Sequence, residues 1–376
     1  MNAVTRLLRD LVAIPSVNPG LLPEDAHACG EEPVAEHLAG LAQKHGLEVS
    51  RQNVLPGRRN LLVRLRPSGK VRQRILLAPH MDVVPAKESQ FKPRISNGRL
   101  YGRGACDTKG CVSAYFHALC ELSQSKQRPQ HTEVLFVGLV DEEYLQRGSR
   151  AYAQKGPKAD LAIVGEPTQL QVVSAHKGDL WWQLRVTGKA AHGATPQLGT
   201  SAIHRMSRIV DILLTDYAST LRNKQHPLLG SPTINIGVMQ GGTQPNIVPD
   251  HCTIDIDRRT LPGETEKAVR KEILDALGPH RLKPDFLDLR GVPCDALETD
   301  PGLPLIQQFL KAARRRRTIG VDFFTDAAPM ASAGIPAILY GPGNIAQAHT
   351  TEEWIDLGQL ERATSVIQKF LLGVED

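Results

Sequence analysis

Short apolar runs that alternate with helical stretches constrain the fold of this chain more than any other feature. Three runs rich in aliphatic residues are RILLAP at 74–79, TEVLFVGLV at 132–140 and LAIVG at 161–165. A helical stretch at 108–123 separates the first two, and IPAILYG at 335–341 has the same character late in the chain. Continuous apolar strands are buried on both faces, as in a parallel sheet covered by helices. The pattern therefore predicts an α/β domain with a mixed, mostly parallel sheet.

The middle of the chain has a second pattern, in which apolar and polar residues alternate along half-exposed strands. The elements predicted there are 180–188, 199–218, 233–242, 251–260, 262–277 and 285–290. Their order is β-α-β-β-α-β, the ferredoxin-like arrangement. Since 376 residues exceed what one hydrophobic core usually serves, two domains are expected. We predict an inserted α+β domain at 177–291, and an outer α/β domain formed by 1–176 and 292–376.

Composition and charge argue against several classes of protein. The N-terminal segment contains Arg6, Arg9 and Asp10 and lacks the apolar core of a secretory signal. No apolar stretch approaches the length of a membrane span, so we expect a cytoplasmic protein with no membrane partner. Six scattered cysteines show no paired spacing, which favours reduced and mostly buried thiols.

The net charge of +5 is a mild basic excess whose densest patch is the run Arg314-Arg315-Arg316-Arg317. A single run without interleaved aromatic residues is typical of a solvated helix face rather than of a nucleic-acid site. We therefore expect no nucleic-acid partner, while the basic surface could help to attract small anionic substrates.

Carboxylates and imidazoles follow the predicted strands of the outer domain, at the point where each strand ends. His80, the run Asp141-Glu142-Glu143, and Glu166 come directly after such strands. Asp107 comes after the glycine-rich turn YGRGAC and enters the next helix, and His349 comes shortly after IPAILYG. In an open α/β sheet, ligands bind beyond the carboxyl ends of the strands. Side by side and unpaired, such groups would repel and desolvate one another, and divalent cations remove that cost. Two imidazoles with three carboxylates suit a pair of zinc-like ions, one carboxylate bridging them.

Two short stretches refine this metal hypothesis. In His80-Met81-Asp82, the carboxylate can accept a hydrogen bond from a metal-bound imidazole and so orient it, although an isolated His-x-Asp is also common in polar turns. Of the adjacent Glu142 and Glu143, one can bind metal while the other takes a proton from the attacking water.

Eight motifs extend these observations along nearly the whole chain. They are HMDVVP, YGRGACDTKG, DEE, VGEPT, GKAAHGATP, GGTQPNIVP, RTLPGE and AHTTEEW. In this order they resemble the dinuclear zinc M20 amidohydrolases and peptidases, the superfamily of aminoacylase, acetylornithine deacetylase, succinyl-diaminopimelate desuccinylase and carboxypeptidase G. The resemblance implies a zinc-peptidase-like catalytic domain, with two zinc ions (cobalt being possible) per chain.

The same resemblance assigns roles within the catalytic domain. It implies His80 and Glu166 on one metal, Glu143 and His349 on the other, and Asp107 bridging the two. It makes Glu142 the general acid and base, with Asp82 supporting His80. It also implies a cis peptide bond after Asp107.

The inserted domain resembles the lid and dimerisation domain of these enzymes, which implies a homodimer. His192 matches the histidine that stabilises the oxyanion from the partner subunit. Asn246 and Arg259 match positions that hold the substrate carboxylate or amide, although the adjacent Arg258 could serve instead of Arg259. Gly341 and Gly343 match a loop that lines the substrate.

The stretch from VGEPT through HKGD resembles the acetylornithine deacetylase branch. The expected activity is therefore hydrolysis of the amide bond of a small N-acyl amino acid. Succinyl-diaminopimelate desuccinylase, and dipeptidase or carboxypeptidase activity, remain alternatives, because pocket volume and one or two side chains decide between them. A non-enzymatic scaffold would be expected to lack a metal ligand or Glu142, and this chain has them all.

Overall fold

The computed structural model describes residues 1–23, 30–292 and 294–373, and the chain divides into two compact units. Unit 1 comprises Met1–Ser174, Thr299–Ile319 and Thr325–Asp376, and unit 2 comprises Ala175–Glu298 and Gly320–Phe324. The α-helices are α1 (Ala3–Val12), α2 (Glu32–Lys44), α3 (Lys109–Gln124), α4 (Arg147–Lys155), α5 (Ala202–Ile212), α6 (Ala218–Arg222), α7 (Glu266–Leu277), α8 (Pro304–Ala312), α9 (Ala327–Ser332) and α10 (Leu357–Gly373). The strands are β1 (Glu48–Leu55), β2 (Arg58–Leu65), β3 (Gln73–Pro79), β4 (Arg94–Ser96), β5 (Arg99–Tyr101), β6 (Thr132–Gly138), β7 (Leu161–Gly165), β8 (Val173–His176), β9 (Gly178–Thr187), β10 (Ala191–His192), β11 (Thr233–Gly241), β12 (Ile247–Val248), β13 (His251–Thr260), β14 (Asp285–Asp288), β15 (Leu297–Glu298), β16 (Ile319–Val321), β17 (Ala337–Tyr340) and β18 (Trp354–Asp356).

Unit 1 is built on a mixed sheet whose central strands are parallel. Its order is β1-β2-β6-β3-β7-β17, followed by the first residues of β8. Strands β6, β3, β7 and β17 run parallel to their neighbours in this group, whereas β1 and β2 are antiparallel at one margin. The mixed, mostly parallel sheet predicted from the sequence is confirmed.

The central strands are mostly apolar because helices cover both faces of the sheet. All residues of β6 and β7 are buried. Along β3, Ile75 and Leu77 pack in the main core with α1, α2, α3 and α10. The intervening Leu76 is equally buried but lies outside that core cluster, since successive side chains point to opposite faces of a sheet. The short helices α4 and α9 contact strands of the same sheet.

Unit 2 has the ferredoxin-like arrangement. Its antiparallel sheet has the order β11-β13-β9-β14, and α5 and α7 pack their apolar residues on the sheet in a separate core. Along β9, Leu180, Trp182 and Leu184 are buried in that core, whereas Trp181 is exposed. This alternation is the half-exposed pattern seen in the sequence.

The observed boundaries of unit 2 differ from the predicted limits of 177 and 291. The chain continues in unit 2 to Glu298, because Leu297 in β15 pairs with His176 in β8. The amide of Asp179 also donates to the carbonyl of Cys294 at 2.7 Å. Residues Gly320–Phe324 form a second addition. These contacts are made by backbone pairing, which the side-chain pattern does not reveal.

Three further expectations can be compared with the structure. Cys106, Cys111, Cys120, Cys252 and Cys294 are buried free thiols, whereas Cys29 lies outside the described residues. The arginine run does not lie on a helix face, because α8 ends at Ala312 and Arg314 has a φ of 53°. Within the described residues, no helix is both long and apolar enough to cross a bilayer.

Candidate metal centre

The carboxyl ends of the parallel strands in unit 1 bring the predicted residues to one edge of the sheet. His80 directly follows β3, and its backbone continues the parallel pairing with Leu139, beyond the end of β6. Glu142 and Glu143 come three and four residues after Leu139, and Glu166 directly follows β7. Because β3, β6 and β7 are parallel neighbours, the residues that follow them meet at one edge of the sheet.

Asp107 lies between two imidazoles. Its Oδ1 is 3.1 Å from Nε2 of His80, and its Oδ2 is 3.3 Å from Nε2 of His349. The same nitrogen of His349 is 3.0 Å from Oε2 of Glu143. The ligand atoms of His80, Asp107 and Glu143 all lie within 4.8 Å of one another. The two oxygens of one carboxylate thus each face a different imidazole, which is the arrangement a bridging carboxylate needs.

Asp107 and His80 are also joined through the backbone around them. The peptide between Asp107 and Thr108 is cis, as the family resemblance implies. The hydroxyl of Thr108 donates to the carbonyl of His80 at 3.1 Å. Helix α3 begins at the next residue, so the turn that carries Asp107 is anchored on both sides.

Asp82 connects the end of β3 with the loop after β6. Its carboxylate accepts hydrogen bonds from the amides of Glu142 and Glu143, at 3.1 and 3.0 Å, and from Nδ2 of Asn18 at 2.7 Å. Nδ1 of His80 lies 3.5 Å from the Asp82 carboxylate and 3.1 Å from its carbonyl oxygen. Asp82 is therefore placed to fix both the imidazole and the Glu142-Glu143 pair.

The remaining carboxylates of this edge are buried. Burial raises the pKa of Glu142 and of Glu166 well above the usual range, and burial raises the pKa of Glu143 to about 7. Oε1 of Glu143 and Oε1 of Glu166 have no hydrogen-bond partner among the described residues. Buried carboxylate oxygens are costly unless a hydrogen bond or a cation compensates them.

The pKa values of the two imidazoles are also raised, but the cause is contact with carboxylates rather than burial. Hydrogen bonds to Asp107 and Glu143 raise the pKa of His349 to about 10. Burial disfavours charge on His80, but its contacts with Asp107 and Asp82 outweigh burial and raise its pKa. For Asp107, burial acts upward, yet the hydrogen bonds from both imidazoles lower its pKa overall. The edge thus favours positive charge between its carboxylates, so the donor set fits divalent cations.

Glu353 is a buried residue of this region that the sequence reasoning missed. Its Oε1 accepts from the amides of Cys106 and Asp107 at 2.9 and 3.0 Å. Its Oε2 accepts from the amide of Gly104 at 3.0 Å and from Nη1 of Arg103 at 2.7 Å. Glu353 therefore fixes the glycine-rich turn that presents Asp107. The available signal was a second acidic residue in the motif AHTTEEW.

A second buried network holds the start of the loop after β6. Asp141 has a left-handed φ of 69°, and its carboxylate accepts from Nη1 of Arg58 at 2.9 Å. Arg58 also pairs with Glu31, whose carboxylate accepts from the amide of Asp141 at 3.0 Å. The network sets the direction in which Glu142 leaves the strand.

The predicted site residues His192 and Asn246 of unit 2 are exposed, whereas most residues of the metal centre are buried. His192 in β10 pairs with Ile247 in β12, and the amide of Gly193 donates to the carbonyl of Asn246 at 2.7 Å. His192 and Asn246 are thus neighbours on exposed backbone. The imidazole of His192 accepts from the amide of Ala194 at 3.0 Å.

The adjacent arginines of β13 lie in contrasting surroundings, as expected for opposite faces of a strand. Arg258 is fully buried, and its guanidinium donates to the Tyr217 hydroxyl and to Glu264. Arg259 is a quarter exposed and pairs with Asp257 at 2.9 Å. Arg258 therefore makes its hydrogen bonds inside unit 2, and Arg259 is the more accessible of the two.

The loop after β17 requires small residues. A Cβ on Gly341 would approach Sγ of Cys111 and the carbonyl oxygen of Glu166 to 2.4 Å. Gly343 has a φ of 92°, and a Cβ there would come within 2.5 Å of Sγ of Cys106. Gly341 thus lets this loop run close to α3 and Glu166, and Gly343 lets it run close to the turn that carries Asp107.

The fold and the cluster together are those of an α/β metallohydrolase. The chain belongs to Peptidase family M20/M25/M40, whose family model matches residues 76–373. The predicted family is confirmed, and so is the predicted class of enzyme, a hydrolase that acts on amide bonds.

Individual relatives give the same assignment. Acetylornithine deacetylase from Vibrio cholerae serotype O1 is 30% identical over 352 residues, which is 90% of this chain and 91% of the relative. Aminopeptidase PepT from Bacillus cereus has a similar structure, with a TM-score of 0.79, 22% identity and coverage of 98% and 97% of the two chains. The Bacillus subtilis YXEP protein, a dinuclear metal binding peptidase of the M20 family, has a TM-score of 0.72, 14% identity and coverage of 98% and 96%. These two structures show the shared fold.

Proposed function

We propose that this protein hydrolyses the amide bond of a small N-acyl amino acid, with N-acetylornithine as the preferred class of substrate, and that it does so with two zinc ions. The single observation that carries the mechanism is Asp107, whose two carboxylate oxygens each face a different imidazole at 3.1 and 3.3 Å. The acetylornithine deacetylase relative, similar over 90% of the chain, supports the choice of substrate.

The donor set divides into two halves around Asp107. His80 and Glu166 would hold one cation, Glu143 and His349 would hold the other, and Asp107 would serve both. This division is supported by the unpartnered oxygens of Glu143 and Glu166 and by the mixture of imidazole and carboxylate donors, which suits zinc and also cobalt.

When bound, the pair of cations supplies Lewis acidity, which lowers the pKa of water and polarises the amide carbonyl. Glu142 takes the proton from the attacking water on a carboxylate oxygen and delivers it to the leaving nitrogen. Burial raises the pKa of Glu142. A raised pKa suits a carboxyl group that must accept a proton in one step and donate it in the next. Asp82 holds the backbone amides of Glu142 and Glu143 and so positions the base beside the ligand.

Unit 2 supplies substrate contacts and the dimer. His192 of one chain donates a hydrogen bond to the oxyanion formed in the partner's reaction, so the active form is a homodimer. Asn246 and Arg259 hold the substrate carboxylate or amide, and the choice of Arg259 is supported by the internal hydrogen bonds of Arg258.

In unit 1, Gly341 and Gly343 line the bound acyl amino acid. The protein acts in the cytoplasm.

A panel of substrates tests this function. Purified protein loaded with zinc or cobalt is assayed with N-acetylornithine, N-succinyl-diaminopimelate and several dipeptides, and metal content is measured on the same sample. We expect two metal ions per chain and a kcat/KM for N-acetylornithine at least about tenfold above the others. Faster hydrolysis of dipeptides or of the succinyl compound would contradict the substrate while leaving the mechanism intact. A single ion after zinc loading would contradict the bridging role of Asp107.

A further inference from the structure

A basic groove lies in unit 1, at the end of α8 and along α10. It encloses about 340 Å³, and its polar lining consists of Arg314, Arg315, Tyr340, Arg362, Ser365 and Lys369. A second cavity of about 510 Å³ adjoins it and shares Arg314 and Lys369. None of these residues belongs to the candidate metal centre.

The cations of the basic groove are largely uncompensated. Among the described residues, the acidic partner found for these cations is Asp356, which lies 3.9 Å from the exposed Arg362. Exposed pairs at such a distance contribute little. Nε of Arg315 donates to the carbonyl of Leu170 at 3.0 Å, which fixes the guanidinium at the groove without neutralising it. Four positive side chains therefore share one cavity.

Tyr340 provides an independent sign of a missing partner. Its side chain is fully buried, and its hydroxyl has no hydrogen-bond partner among the described residues. The ring is held edge-on by Phe309, with centroids 5.0 Å apart, so the hydroxyl has a fixed position. A buried hydroxyl without a partner is costly, and a ligand in the groove that accepts a hydrogen bond from this hydroxyl would remove that cost.

We propose that the basic groove binds the phosphate group of a small molecule. A phosphate carries close to two negative charges and three strong acceptor oxygens, which matches four cations and two hydroxyl donors better than a single carboxylate does. The cavity is larger than a phosphate ion, and Leu170 and Val366 add apolar lining. This leaves space for an organic group, so a phosphomonoester is the expected form of the ligand.

The test is calorimetric titration of the zinc-loaded full-length protein, free of excess zinc, at low ionic strength. The probes are glycerol phosphate, inorganic phosphate and acetate. We compare the wild type with Arg314→Ala/Lys369→Ala, with Tyr340→Phe, and with Arg316→Ala/Arg317→Ala. The last variant is the matched control, because it removes two charges of the same run that do not line the groove.

We expect saturable binding of glycerol phosphate that weakens at least about tenfold in Arg314→Ala/Lys369→Ala, since two charge-assisted contacts are lost. Tyr340→Phe should weaken it about fivefold, the value of one hydrogen bond, and should leave the melting temperature at or above that of the wild type. The control should bind like the wild type. Any binding of phosphate to the metal centre would persist in the groove variants and is thereby separated.

Three results would overturn the proposal. They are no saturable binding of either phosphate probe, equal loss in the Arg316→Ala/Arg317→Ala control, and acetate binding as tight as that of the phosphates. Equal affinities for inorganic phosphate and glycerol phosphate would support the site and identify free phosphate as its ligand. A clear preference for glycerol phosphate would support it and identify an organic phosphate.

Discussion

The sheet edge of unit 1 and the exposed turns of unit 2 both carry residues proposed to act on substrate, but the fold holds them in different ways. In unit 1, Asp82 accepts three hydrogen bonds from other segments, and Asp107 lies in a turn fixed by Glu353. In unit 2, the imidazole of His192 is exposed and has a hydrogen bond from its own turn, from Ala194.

The residues of unit 1 are therefore preorganised by the fold, whereas those of unit 2 would need contacts with a bound molecule or another chain to fix their positions. Precise placement at rest is what a metal centre requires, because ligand positions must fit the ion within a fraction of an ångström. In the proposed mechanism, a residue such as His192 would be positioned only when substrate and the partner subunit are bound. Substitutions in the two regions should therefore impair different properties of the enzyme, such as metal content or turnover.

The largest effect is expected at Glu142. Glu142→Ala should cut turnover by about 10²–10⁴, the contribution of a general base, while metal content and melting temperature stay unchanged. Glu143→Ala should instead lower metal content, since it removes a proposed ligand. Steady-state kinetics with metal analysis of both variants would distinguish them, and the reverse pattern would show that the two roles are exchanged.

His192→Ala should reduce turnover by about 10²–10³, the usual effect of removing one oxyanion donor, with full metal content. Co-expression of Glu142→Ala chains with His192→Ala chains tests the origin of the donor. A mixed dimer has one site with Glu142 from one chain and His192 from the other, so partial activity should return. If purified mixed dimers remain inactive, His192 does not act across the subunit boundary.

A smaller effect is expected at Glu353, which touches no ligand atom of the cluster. Glu353→Gln replaces one acceptor oxygen with an amide that faces donors, which loosens the turn before Asp107. Metal affinity should weaken about 10- to 100-fold, as for other groups that orient ligands, and added zinc should restore much of the activity. Glu352→Gln is the matched control, because that side chain is 80% exposed. Unchanged metal affinity in Glu353→Gln would refute this positioning role.

The smallest effect is expected at Arg259. Arg259→Lys keeps the charge but loses the two-pronged donor, so KM should rise about fivefold, the value of one hydrogen bond, with little change in kcat. Arg258→Lys should instead lower the melting temperature and leave KM unchanged, since Arg258 is bonded within the core of unit 2. A KM effect that follows Arg258 would reverse the choice between the two arginines.

Much of unit 1 could be predicted from the sequence because its central strands are buried on both faces and end in polar groups. Apolar runs identify β3, β6, β7 and β17, and parallel direction alone brings the residues after them to one edge. His80, Glu143 and Glu166 follow from that rule. The same rule does not predict that Asp107 and His349 lie next to each other, because neither residue directly follows a strand of the sheet. That prediction depended on the family resemblance.

The limits of sequence reasoning are clearest where backbone atoms make the contacts. Glu353 accepts hydrogen bonds from amides of the turn before Asp107, and the acidic pair in AHTTEEW does not show which backbone amides it contacts. The continuation of unit 2 to Glu298 rests on strand pairing for the same reason. The arginine run was expected on a helix face, but α8 stops at Ala312, and only the fold reveals that part of the run meets α10 at a cavity.

The hydrogen bonds of Glu353 have a consequence for how the protein is made. Asp107 leaves the ribosome early, but the imidazole of His349 and the Glu353 carboxylate that fixes the Asp107 turn follow more than 240 residues later. A growing chain therefore carries His80, Asp107, Glu143 and Glu166 well before the segment that supplies His349 and Glu353. A chain that stopped before this segment would lack one proposed metal ligand and the carboxylate that fixes the Asp107 turn, so we expect it to be inactive.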